Sequence, residues 1–299
     1  MATVHVRQAL LRDVGAISQV HQSWVGGAAA LSLAEGWQQG GPCLAPETCA
    51  VWVAHLLVGS EGIPLVAELA GEVVGYAEAF IGQEAAPHGL HLNIASLTVH
   101  QASQGQGVGR ALVSYSLEMA RVLRCRAVTA AQPRPLAFFA ALGFQPQLAR
   151  YEVLLSPVEG RVFYRARELT ERDPAQIRGW QMPLGRWQNA RQEWEALAWG
   201  MWRAVPELVE RAWHDLQIDL TGQPGILHLH ETNPLSREAQ ARLWTKNPMT
   251  NQMLSAVLDR SARLGYQRLL TLVEEPLAEL FADQVAAATP HWLYAYPIG

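Results

Sequence analysis

The stretch VHQASQGQGVGRALV (residues 99–113) places glycines at 105, 107 and 109 between a β-prone run and a helix-like run. Glycine serves where backbone must approach a partner closely or take a positive φ. A strand, such a loop and then a helix is therefore a sharp constraint on the fold around it. A phosphate-cradling loop of the Walker kind needs Gly-Lys-Ser/Thr after the glycines, and Arg110-Ala111 stands there. A dinucleotide loop needs G-x-G-x-x-G with an acidic residue closing the next strand; the spacing is G-x-G-x-G and that strand closes on Gln132. What remains is a set of outward backbone N–H groups over 105–110 at a helix N-terminus, with Arg110 beside them. That arrangement suits a pyrophosphate.

The flanking pattern sets the loop in a mixed α/β frame. TVHVRQAL (3–10) alternates like a strand and leads into a helical run with Val14, Ile17, Val20 and Trp24 on one face. PETCAVWVAHLLVGS (46–60) reads as a second helix. Residues 63–82 read as a hairpin about Ala70-Gly71-Glu72, and LHLNIASLTV (90–99) as the strand before the loop. A helix over 110–123, a strand over 126–132, a short helix over 135–144 and a strand over 149–155 complete the order βααβββαβαβ.

LTVHQASQGQGVGRAL resembles the signature of the GNAT superfamily of acetyl-CoA-dependent N-acyltransferases. Leu97, Thr98 and Val99 match its Leu-x-Val strand, and Gln104, Gly107 and Gly109 match the Gln/Arg-x-x-Gly-x-Gly/Ala that opens the helix. FFAALGF (138–144) is similar to the family's Phe-Tyr-x-x-x-Gly-Phe segment. The resemblance spans residues 3–155 and implies acetyl-CoA as co-substrate. It places the pyrophosphate on Gln104, Gly105, Gln106, Gly107, Val108, Gly109 and Arg110. It places the pantetheine arm along the backbone of Leu97, Thr98 and Val99, where the strand would splay from 126–132. Phe139 occupies the position of a tyrosine that in much of the family protonates the leaving thiol, and Gln132 that of a frequent asparagine. For the base that strips the acceptor amine, strand parity puts His91 and Asn93 on one face, and Glu78 stands polar among apolar neighbours.

The second half echoes the first. RARELTERDPAQI (165–177) repeats VRQALLRDVGAI (6–17), with Arg172-Asp173 on Arg12-Asp13 and Ile177 on Ile17. Leu243 then aligns with Leu97 and Leu254 with Leu112, but KNPMTNQM (246–253) is shorter than the first loop and has lost every glycine. The expectation is two tandem domains, 1–155 and 165–299 with 156–164 as linker, the second a degenerate copy without the pyrophosphate loop. Eight of the eleven tryptophans fall after residue 155, which fits core packing and a seam between copies.

The remaining features narrow the class. A net charge of −4 gives no general nucleic-acid surface. Cys43, Cys49 and Cys125 are too few and too irregular for a disulfide framework or a four-ligand zinc site, so no metal is expected. No apolar run reaches the length of a membrane span, and a cytoplasmic protein is the plain expectation. His88 and His100 read as surface residues and Cys125 as core. The first functional reading is an acetyl-CoA-dependent N-acetyltransferase for a small or peptide amine. The others are a non-catalytic acyl-CoA-binding sensor or partner module, favoured by Phe139, and an acyltransferase for a longer acyl group or an oxygen acceptor. The acceptor walls fall in 24–46 and 178–204; neither the acceptor nor the oligomeric state is encoded in a readable pattern.

Overall fold

The structure, a computed structural model, describes residues 3–58, 60, 62–170, 173–197, 213–233, 235–278, 281 and 289–299. The first half runs β1 (Val4–Gln8), α1 (Val14–Gln22), α2 (Leu33–Gly40), α3 (Pro46–Val58), β2 (Gly62–Leu69), β3 (Glu72–Gln83), β4 (Leu90–Val99), α4 (Val108–Val122), β5 (Ala127–Ala131), α5 (Leu136–Ala141) and β6 (Gln145–Leu155). This is the expected order with one addition. The segment 24–46, for which no element was expected, folds α2 behind a Ser32–Glu35 capping box, in which the Ser32 hydroxyl accepts from the Glu35 N–H and the Glu35 carboxylate accepts from the Ser32 N–H.

The second half contributes β7 (Arg165–Glu168), β8 (Gln181–Leu184), α6 (Ala190–Ala196), β9 (Trp213–Leu220), β10 (Gln223–Asn233), β11 (Glu238–Thr245), α7 (Asn251–Arg263), β12 (Arg268–Glu274), α8 (Glu275–Ala278) and β13 (His291–Pro297). The duplication is visible in the backbone. β7, β9, β10, β11, α7 and β12 repeat β1, β2, β3, β4, α4 and β5 in order and in pairing direction. Each copy turns its main hairpin through two residues of positive φ, Ala70-Gly71 (53° and 87°) and Thr221-Gly222 (48° and 80°). Those angles match the right-handed twist of the flanking strands.

The two copies share one 13-stranded sheet of order β1-β2-β3-β4-β5-β13-β6-β12-β11-β10-β9-β7, with β8 on β11. Its centre is made by exchange. The C-terminal β13 lies antiparallel between β5 and β6, pairing Leu293 with Ala131 and Trp292 with Ala149, while the far end of β6 pairs with β12. The helices cover the sheet with separate apolar clusters. One in the first half is built on Ile17, Trp52, Val66 and Phe80; one in the second on Leu216, Leu229, Leu243 and Val257.

Both copies part their parallel strands at the same place, and the gaps differ. β4 pairs with β5 only from His91–Ala127 to Asn93–Thr129, then diverges. β11 pairs with β12 only from Glu238–Arg268 to Gln240–Leu270. In the second copy the gap is filled by the chain itself: β8 pairs with the free edge of β11 (Leu184 with Leu243), and the Gly185 N–H donates to the Leu272 carbonyl at 2.8 Å. Gly185 sits at φ +78°, and a Cβ there would lie 2.5 Å from the Ala241 carbonyl oxygen, so only glycine fits. In the first copy the corresponding gap opens to solvent.

Candidate functional site

The open gap is a groove of about 680 Å³. The free edge of β4, Leu97 to Val99, forms one side. The glycine loop with Arg110 closes one end, Arg134 and Phe138 stand opposite, and His21, Trp24, Val25, Gln39 and Gly40 close the other end.

The loop geometry follows from its glycines. Gly105 and Gly107 have φ of +74° and +85°, and a Cβ on either would meet nothing within 4 Å, so the space above both is empty. Gly107 is the N-cap of α4 in the left-handed region and offers no side-chain cap. The N–H groups of Gly105 to Arg110 donate to no group among the described residues, and three of them are first-turn donors that a helix leaves unpaired. Gly109 is wanted for another reason: a Cβ there would stand 3.2 Å from the Phe138 ring. Free donors, a helix N-terminus and two arginines make a cradle for a diphosphate. The second copy lacks it, because Thr250 caps α7 with its own hydroxyl on the Met253 N–H at 3.1 Å.

Of the anticipated cofactor residues, Leu97, Thr98, Val99, Gln104, Gly105, Gly107, Val108, Gly109 and Arg110 line the groove. Gln106 does not; its side chain turns back to the Ala102 carbonyl at 3.3 Å. Gln132 takes φ +36° and joins the exchanged strand, its side chain 2.7 Å from His291 Nδ1 and its N–H on the Trp292 carbonyl. Phe139 is 4% exposed, held edge-on between Phe138 and Phe144 at 5.1 and 5.3 Å. Its neighbour Phe138 is the ring that faces the groove.

The residues read as possible bases lie behind the groove wall. Glu78 is buried; its Oε1 accepts from the Trp52 indole at 2.8 Å and the Tyr76 hydroxyl at 3.0 Å, and burial pushes its carboxyl above the ordinary range. His91 donates Nδ1–H to the Gly89 carbonyl at 3.1 Å, and burial pushes it down to about 4. Its Nε2 faces Glu84 at 3.5 Å. Asn93 is fully buried, bonded to Thr129 and Gln188.

Two further groove residues were not among the anticipated site residues. Trp24 donates its indole N–H to the Val99 carbonyl at 2.8 Å. His21 packs edge-on against Tyr76 with its buried Nε2 unbonded, and burial pushes its imidazole down to about 4. Helical spacing placed Trp24 on the Val14–Val20 face, at the start of the stretch expected to wall the acceptor, and passed over His21, because nothing in that spacing distinguishes groove from core.

The seam between copies is polar. Arg186 forks onto both oxygens of Glu84 at 3.0 and 3.1 Å, and Glu84 also accepts from the Ala190 N–H at 3.0 Å. Burial pushes the Glu84 carboxyl up, but the charge and hydrogen bonds of Arg186 together with the nearby His91 and His88 outweigh it and hold the group at about 2. His88, expected at the surface, is partly buried 2.9 Å from Glu274. His100, likewise expected there, is partly buried and accepts from the Ala102 N–H. Cys125 is buried as expected. Trp194 and Trp244 meet edge-on at 5.5 Å in the second core and Trp187 meets His291 at 5.1 Å, which is core and seam packing; Trp199 and Trp202 lie outside the described residues. Among the described residues no group of three potential ligands could hold a metal ion, and no helix is long and apolar enough to cross a membrane.

Comparison with known proteins agrees with this architecture. The sequence model of the acetyltransferase (GNAT) family matches residues 37–144. No curated protein matches the chain in sequence. Among solved structures, a tandem GNAT protein from the clavulanic acid biosynthesis pathway shares 16% identity at a TM-score of 0.52, covering 99% of both chains. A GCN5-related N-acetyltransferase from Anabaena variabilis shares 10% identity at 0.67, covering 99% of this chain and 73% of that one. Another from Kribbella flavida shares 14% at 0.60, covering 99% and 72%. At these identities the likeness is one of fold, and it extends over both copies.

Proposed function

We propose that this chain, a tandem-domain protein of the GNAT superfamily, transfers an acetyl group from acetyl-CoA to an amine in the groove of its first half. The observation that carries the reading is the loop 105–110: free N–H donors over empty space, at the mouth of a groove whose other wall is unpaired β4 edge. Acetyl-CoA would supply an activated thioester. The loop and Arg110 would hold its diphosphate, and the backbone of Leu97 to Val99 its pantetheine arm. The Val99 carbonyl now accepts from Trp24, so the indole would yield that bond or share it.

Of the three candidate bases, Glu78 has the fitting chemistry. Burial raises its carboxyl toward the range where a base works best, and it lies one strand from the free edge, paired in register with Ser96; standing behind the groove wall, it would take the amine proton through one intervening water. Asn93 and His91 are better matched to holding the strands together. The domain division at 1–155 and 165–299 is kept as a division by ancestry, since the sheet is shared. The amine acceptor would enter beside His21, Trp24 and Gln39.

Calorimetric titration with acetyl-CoA, followed by thiol release over a panel of small and peptide amines, tests the reading. Tight binding with amine-dependent release supports it; absence of binding refutes it. One observation favours the sensor alternative: no tyrosine hydroxyl lines the groove among the described residues. Binding without release on any amine would select that alternative.

A further inference from the structure

The lining of the first groove stops at Leu97 on β4, and two residues further in the β4 backbone is bonded by a side chain from the second half. The ladder between β3 and β4 slips from Glu78–Ser96 to Ala79–Ile94, which leaves Ala95 as an unpaired bulge residue. Its carbonyl accepts from Gln188 Nε2 at 3.3 Å. Gln188 Oε1 accepts from Asn93 Nδ2 at 2.9 Å, and Asn93 Oδ1 accepts from Thr129 Oγ1 at 3.0 Å. Asn93 and Thr129 are the last pair before β4 and β5 separate. The Gln188 amide therefore bonds β4 at and just past the point where the strands part, and reaches β5 through Asn93.

The placement is held from several sides. The Gln188 N–H donates to Glu193 at 2.8 Å, and Glu193 takes Arg242 of β11 at 3.2 Å. The next residue, Asn189, donates to the Phe80 carbonyl of β3 at 3.1 Å and caps α6 by accepting from the Gln192 N–H. The Trp244 indole donates to the Ala190 carbonyl at 3.1 Å, and Arg186 is locked on Glu84. Gln188 is thus held by hydrogen bonds to both copies. The groove lining reaches inward along β4 to Leu97, and Gln188 stands two residues further in.

We propose that Gln188 is a specificity-determining residue of the first site: its side chain closes the inner end of the acyl slot and restricts the chain to short acyl-CoA donors. The inference rests on the proposed acyl-CoA reading and adds the acyl length. A filled, hydrogen-bonded inner end leaves no room for added methylenes without breaking its bonds, and one methylene misfitted in a closed pocket typically costs a factor of about 10 to 200 in selectivity. The second copy, having lost its own cradle, thereby supplies the floor of the other.

Direct binding tests it without turnover. Acetyl-CoA and butyryl-CoA are titrated calorimetrically into the wild-type chain, Gln188→Ala and Gln188→Met. Wild type should bind butyryl-CoA at least about tenfold more weakly than acetyl-CoA. Gln188→Ala should erase that gap, and Gln188→Met, which restores length without the amide, should bring it back. A general loosening of the fold would weaken both donors alike and leave the ratio where it was. Equal affinity of wild type for the two donors, or an unchanged ratio in Gln188→Ala, overturns the inference while the acyl-CoA reading stands. Failure of both donors to bind any variant, wild type included, removes that reading as well.

Discussion

Replacing Gly107 with valine separates what the loop does for binding from what it does for folding. The residue sits at φ +85°, where a β-branched side chain is strained by about 1–3 kcal/mol. A Cβ there meets no protein atom within 4 Å, so no clash adds to that cost. The added side chain would instead fill the space above the free N–H groups. Loss of two charge-assisted hydrogen bonds at about 1.5–3 kcal/mol each amounts to about 3–6 kcal/mol, or roughly 10² to 10⁴ in Kd. Gly71 supplies a matched control: φ +87°, nothing within 4 Å of its Cβ, and a place in the β2–β3 hairpin, away from the groove lining. Gly71→Val should lose comparable stability by denaturant titration and keep its acetyl-CoA affinity by calorimetry. If Gly107→Val binds within threefold of wild type, or Gly71→Val loses affinity equally, the loop does not hold the cofactor.

Other outcomes follow from the same geometry. Glu78→Gln should lower the transfer rate by about 10² to 10⁴. In wild type the rate should rise with pH as Glu78, held above its ordinary 4.5, loses its proton; a variant keeping that acid limb would exclude Glu78 as the base. Acetyl-CoA should bind once per chain, since β8 fills the second gap; two equivalent sites by titration would contradict the plugged geometry. Phe139→Tyr buries a hydroxyl between Phe138 and Phe144 and should cost about 1–3 kcal/mol without raising the rate, whereas a faster enzyme would show that the hydroxyl reaches the thiol. Stability should fall on acidification from about pH 6.5 through 4. His21 and His91 are held neutral by burial, so the unfolded chain binds more protons across that window; Glu84, near 2 in the fold against an ordinary 4.5, extends the loss below it. A flat melting temperature from pH 7 to 4.5 would mean that both imidazoles are solvated.

The sequence by itself carried what depends on local backbone and on periodicity. Positive φ at Gly105 and Gly107, the turn at Ala70-Gly71, the strand before the loop and the helix after it are set by a few neighbouring residues. They could therefore be read from 99–113 and 63–82. The echo of residues 6–17 in 165–177 disclosed the second copy for the same reason, since Ile17 and Ile177 each follow the first strand of their copy and are both buried. What tertiary structure alone decided is pairing between distant segments. Strand exchange by β13, the plug of β8 with Gly185, and Gln188 bonded to the β4 bulge at Ala95 all depend on backbone edges. Any strand of suitable shape could cover those edges, and a ladder hydrogen bond carries no residue identity. Strand parity likewise proposed His91 and Asn93 as cleft residues. The bulge at Ala95 and burial against Gln188, Glu84 and Arg186 turned them to holding the strands and the seam instead, because what faces a strand's inner side is chosen by whichever segment packs there.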